Sequence, residues 1–153
     1  MSLQPAHGYV FSVAIASGLF MTYLGIKVAG QRKAAGVPYP YGMSSSLTIT
    51  VYADKAEAET DPAKKVFNCY QRAHQNTLEG YPIFLTLLAI AAIDTPVVAA
   101  ASGLIWIVGK YFYAQGYYTG VPANRTRGSF SYIGLFTLLG CAIKTSYDLI
   151  SRA

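Results

Sequence analysis

Charge is what this sequence is shortest of: Asp, Glu, Lys and Arg make up 12% of its 153 residues, where a soluble domain has about a quarter. An ordinary solvated globule is excluded, because 53% of the residues are hydrophobic and they fall in long runs. Cysteine is nearly absent. Cys69 and Cys141 lie in different segments without paired spacing, so neither a disulfide framework nor a metal site is expected. The net charge is +5, yet the cations gather in connections rather than in a stripe, which argues against a nucleic-acid partner. Ahead of the first apolar run, QPAHGYVF carries no Lys or Arg. The basic start of a cleavable secretory signal is therefore missing, and the first apolar segment is expected to act as its own targeting signal. Strict alternation of apolar and polar residues is missing as well, so any membrane crossing has to be helical.

What is present is a set of four apolar segments, roughly residues 9–29, 62–93, 97–118 and 128–150, each able to supply the about 20 residues a span needs. They predict an all-α integral membrane protein, a four-transmembrane-helix bundle forming one domain over residues 1–153. Lys27, Arg32, Lys33, Lys55, Lys64 and Lys65 flank or occupy the first connection, Arg125 and Arg127 the third, and the second, IDTPVV, has no cation. The first connection (about residues 30–61) and the third are therefore expected in the cytosol, with both termini on the other side. In that orientation the sequon Asn124-Arg125-Thr126 stays unglycosylated. The stretch GMSSSLTITVYADKAEAETDP reads as a surface loop ending in a helix start, with Asp61 as cap and Pro62 at the first helical position. From there to Ile93 is a helix of roughly 48 Å, longer than a hydrocarbon core of about 30 Å, so its first part is expected to project into the cytosol.

The projecting part is FNCYQRAHQNTLEGYPIFL. At about 100° per residue, Arg72, Gln75, Asn76 and Glu79 share one stripe about 100° wide, and His74 points roughly 160° away from it. Polar groups at membrane depth face a bundle or a wet cavity. They serve either as struts between helices or as a binding face; a lone His such as His74 is more often structural. In the third segment Lys110, Tyr113 and Tyr117 share a face, which also suits an interfacial aromatic belt. Ala99, Gly103, Gly109 and Gly116 suit close helix packing. Arg125 and Arg127 read either as topology-setting charges or as part of a site. Arg32, Arg72, Arg125 and Arg127 with Asn76, Glu79, Tyr113 and Tyr117 suit a small anionic ligand that also carries an ammonium for the one carboxylate. Glutathione, with two carboxylates, one amine and a thiol, has that profile.

QRAHQNTLE followed by YPIFL, then GKYFYAQGYYTG and RTRG, with Arg32-Lys33 and VPYP at the end of the first segment, resemble the membrane-associated eicosanoid and glutathione metabolism (MAPEG) family. The resemblance spans essentially the whole chain and is nearest the microsomal glutathione S-transferase 3 branch. It implies a homotrimer of four-helix subunits in the endoplasmic reticulum membrane, binding glutathione on the cytosolic side between neighbouring subunits. A hydrophobic electrophile or lipid hydroperoxide would approach from the bilayer. By position, Arg72, Asn76, Glu79, Tyr113 and Tyr117 would bind glutathione, and Arg32 and His74 would contribute from the adjacent subunit. The thiol-activating residue of the family is an Arg at the start of the fourth helix. Arg127 takes that role here, with Tyr132 following at the spacing of relatives; Arg125 competes, because this loop is longer than in leukotriene C4 synthases. Gly80 stands where those synthases have Tyr, and His74 where they have Gln.

The implied activity is glutathione transfer to hydrophobic electrophiles and reduction of lipid hydroperoxides, with no metal. The alternatives are a non-catalytic lipid-binding scaffold of the same family, or a purely structural bundle or channel subunit.

Overall fold

The computed structural model describes residues 3–39 and 51–152, and all their regular structure is helical. Helix α1 runs His7–Ala34, α2 Lys55–Thr60, α3 Pro62–Ala92, α4 Pro96–Tyr118 and α5 Ser131–Ile150, with a 3-10 turn over Pro122–Gly128 between the last two. Helices α3 and α4 pack on each other, and each packs on both α1 and α5.

Local chemistry sets the boundaries. Helix α1 stops at Gly36, whose φ of 62° suits glycine. Its N–H donates to Lys33 O (3.2 Å) and that of Val37 to Arg32 O (3.1 Å), the paired bonds of a Schellman stop. The Asp54 carboxylate caps α2 by accepting from Ala56 N at 2.8 Å. The Asp61 carboxylate accepts from Ala63 N at 2.8 Å with Pro62 at the start of α3, the helix start expected from the sequence. Helix α3 has 31 residues, or about 46 Å. Part of the connection expected as loop thus folds as α2, whose Ala58 is buried, while residues 40–50 lie outside the described residues.

Helices α1, α4 and α5 are long and apolar enough to cross a membrane by length and composition. Of the four expected spans, α3 does not meet that measure, because Arg72, Gln75, Asn76 and Glu79 sit in its middle. The core is centred on Trp106, stacked on Phe84 at 4.0 Å between centroids, with Val13, Leu88 and Leu138 in the same cluster. Gly103 is required there, since a Cβ would lie 2.7 Å from Val13 Cγ1. At the other end of α4 a Cβ on Gly116 would collide with the Asn124 carbonyl, and one on Gly128 with the Gly109 carbonyl and Tyr113 N. The expected close packing along α4 is present, and its partner at this end is the 3-10 turn. The arginines expected at the start of the fourth helix lie on that turn instead. Gly128 is drawn against α4, and α5 begins only after Ser129 and Phe130.

Candidate functional site

The polar stripe of α3 divides between two clefts. Arg72 Nη1 reaches Glu79 Oε1 at 3.3 Å, two turns along the helix, and the side chains are 45% and 50% exposed. An exposed pair of this kind contributes at most about 1 kcal/mol, so a ligand carrying both charges can open it. Arg72 and Tyr117 line a cleft of about 330 Å³ with Lys65, Asn68 and Cys69. Asn76 and Glu79 line another, of about 230 Å³, with Lys110, Ser131 and Tyr132. The ion pair joins one to the other.

Above the first cleft sits the 3-10 turn, whose Pro122 closes its rim. Tyr113 and Tyr117 lie beside the turn with rings edge-on, 5.2 Å apart; Tyr117 is buried and Tyr113 half-buried. Arg125 Nη1 donates to Pro122 O at 3.2 Å. Arg127 is exposed, and among the described residues its guanidinium has neither a hydrogen bond nor an ion pair. Both arginines are exposed, and neither lines either cleft. Tyr132, five residues on, lines the Asn76–Glu79 cleft.

Arg32 and His74 stand apart from this group. Arg32 is 5% exposed, and its guanidinium donates to Pro38 O at 2.8 Å and Val51 O at 2.9 Å. It stacks 4.7 Å from the Phe67 ring centroid. Within one chain it ties the two described ends of the first connection to α3. His74 is half-buried, and no hydrogen bond ties its ring among the described residues.

Two residues take parts that sequence reasoning misses. Asn68 clamps the first connection: its Oδ1 accepts from Ala53 N at 2.7 Å and its Nδ2 donates to Ala53 O at 3.1 Å. Lys110, read from the sequence only as one member of a face, is 7% exposed and donates to Asn76 Oδ1 at 3.0 Å. The signal for it was a single cation in an otherwise uncharged α4, which at membrane depth calls for a partner. A separate cavity of about 430 Å³ lies between α1 and α3, where His7 is the one charge-capable lining residue. The His7 Nδ1 already accepts from Gln4 N at 3.1 Å, so that apolar cavity offers no comparable chemistry.

Among the described residues all regular structure is helical, and three helices are long and apolar enough to cross a membrane, which fits an all-α membrane protein carrying a polar stripe beside an arginine-bearing turn. Residues 10–146 match the sequence model of the MAPEG family, and the chain belongs to that family. Over 72 residues it is 39% identical to microsomal glutathione S-transferase 2 of Homo sapiens, an alignment covering 45% of this chain and 49% of that relative. The chain thus spans about half the length of the curated relative it matches.

Proposed function

We propose that this protein is a membrane-bound glutathione transferase of the microsomal glutathione S-transferase 3 branch. It would add glutathione to hydrophobic electrophiles and reduce lipid hydroperoxides. The observation that carries the reading is the Arg72–Glu79 ion pair, half open to solvent, whose partners line two clefts, one of them rimmed by Pro122 of the arginine-bearing turn. Arg72 suits a carboxylate of glutathione. Glu79 suits its ammonium, and Asn76, Tyr113 and Tyr117 supply hydrogen bonds. Three membrane-length helices and α3 would make four spans. In the homotrimer, His74 would complete a neighbour's site from the cytosolic face of the endoplasmic reticulum membrane, while Arg32, buried and bonded to Pro38 and Val51 in its own chain, would serve only to hold the first connection.

The chemical task is to hold a thiolate at neutral pH when the free thiol has a pKa of about 8.5. A guanidinium cannot deprotonate, so Arg127 against the sulfur favours the anion at every working pH. Two units of depression, about 2.7 kcal/mol, would leave most of the bound thiol ionised. The thiolate then forms a C–S bond with the electrophile as the leaving group departs or a proton adds. With a hydroperoxide, the sulfur takes the terminal oxygen and releases the alcohol. A second glutathione then gives the disulfide and water.

The test is the ultraviolet absorbance of bound glutathione thiolate in the purified protein. Arg127→Ala is expected to abolish the thiolate signal and lower kcat by about 100-fold, with Arg125→Ala close to wild type. Unchanged turnover in Arg127→Ala would remove it as activator, and calorimetry without glutathione binding would favour the scaffold reading.

A further inference from the structure

The amide of Asn76 has two chemically opposite ends, an oxygen that only accepts and a nitrogen that only donates. Lys110 decides between them. Its ammonium has three donors and no acceptor, and it lies 3.0 Å from Asn76 Oδ1. The reversed amide would set donor against donor at that distance. The cation cannot withdraw to water, because Lys110 is 7% exposed. The faces of Tyr113 and Trp106, at 4.9 and 5.8 Å from Nζ to the centroids, hold it in place, as cation–π contacts do for a desolvated ammonium. Asn76 Nδ2 has no hydrogen-bond partner among the described residues, and Asn76 lines the cleft it shares with Glu79 and Tyr132.

We propose that Lys110 is a positioning residue that makes Asn76 a fixed hydrogen-bond donor toward the cleft, so that this position reads an acceptor oxygen of glutathione and not its ammonium. The inference rests on the glutathione reading above. Without Lys110 the amide can turn over and present either end, and half of its recognition is lost. Lys110 also lines this cleft, but the role assigned to it here is exerted through Asn76.

The test is glutathione affinity measured by calorimetry on the full-length protein in detergent, beside a melting curve for each variant. Lys110→Met removes the ammonium and is expected to weaken binding about five- to tenfold, the loss of one hydrogen bond. Lys110→Arg keeps a donor-only cation and is expected to stay within about twofold of wild type. Asn76→Asp keeps an acceptor for Lys110 but removes the amide donor, and is expected to weaken binding about tenfold. The Lys110→Met/Asn76→Asp double variant is expected to bind no more weakly than Asn76→Asp alone, because one residue works through the other. Additive losses, or wild-type affinity in Lys110→Met, would overturn the proposal. Should Lys110→Met not fold, unchanged affinity in Asn76→Asp overturns it equally. A wild-type protein that binds no glutathione removes the functional reading and this inference together. Wild-type binding with indifferent variants removes this inference alone.

Discussion

The guanidinium of Arg32 donates to the carbonyls of Pro38 and Val51 and stacks on Phe67, whereas that of Arg127 is exposed and engages no other described residue. The same functional group is a clamp in one place and an open cation in the other, and burial makes the difference. Removing a buried, doubly bonded guanidinium orphans two carbonyls, and hydrogen bonds to charged groups contribute about 1.5–3 kcal/mol each. Arg32→Met is therefore expected to lower stability by about 2–4 kcal/mol, read as a fall in melting temperature in detergent. Arg127→Met is expected to leave the melting temperature within a degree or two of wild type, since surface substitutions stay within about 0.5 kcal/mol. Equal melting temperatures in Arg32→Met and wild type would show that the clamp contributes nothing. The clamp is not legible in the sequence, where Arg32 reads as a glutathione contact from the adjacent subunit and Arg127 as a topology-setting charge or the thiol activator. Which carbonyl a buried arginine meets depends on a chain stop at Gly36 and on Val51, 19 residues away.

Helix α4 holds the site together through residues that carry no functional group. At Gly103 a Cβ would press on Val13, 2.7 Å away, and on Leu88, 3.3 Å away. At Gly116 it would press on the Asn124 carbonyl of the arginine-bearing turn. The two positions are about 20 Å apart along the helix, so their effects separate. Overpacking costs about 1–3 kcal/mol. Gly116→Ala is expected to lift the arginine-bearing turn off α4, displacing Arg125 and Arg127 with it, and to lower glutathione turnover at least tenfold with helical content unchanged by circular dichroism. Gly103→Ala is expected to lower the melting temperature with turnover nearly intact. Turnover that follows melting temperature equally in both variants would show that the turn has no separate role. The glycine face, the Asp61–Pro62 helix start and the rough extents of the long helices are all legible in the sequence, because periodicity and caps are local signals. The short α2, the 3-10 form of the turn and the splitting of the α3 stripe between two clefts are not. Each depends on which neighbour a helix meets: Asn68 holding Ala53, Gly128 against α4, and Lys110 drawing Asn76 inward.

Helices α1 and α5 leave large apolar side chains exposed along their length, among them Phe11, Ile15, Leu19 and Ile26 on the first and Ile133, Phe136 and Ile143 on the second. Only 22% of the most apolar stretch of each is buried, against 44% for α4, so α4 is interior and the outer pair has its apolar surface left for lipid or another subunit. Charge is distributed unequally between the ends of this bundle. Where α5 ends, Lys144 pairs with Asp148 at 2.6 Å and Arg152 adds one cation. Where α1 ends and α4 gives way to α5, Lys27, Arg32, Lys33, Arg125 and Arg127 gather. By the positive-inside tendency the second end is expected in the cytosol, together with Arg72, Glu79 and Arg127, where under the proposed function glutathione would enter from water. In microsomes Asn124 is then expected to carry no glycan. A sequon appended to the C-terminus on a flexible linker is expected to be glycosylated, seen as a gel shift that an endoglycosidase reverses. The appended site makes the result positive in either case, because Asn124 Nδ2 also donates to Thr119 Oγ1 at 2.9 Å and its silence alone would decide little. A shift removed by Asn124→Gln, with the appended sequon unmodified, would invert the topology and put the arginine turn on the wrong side of the membrane for a cytosolic thiol.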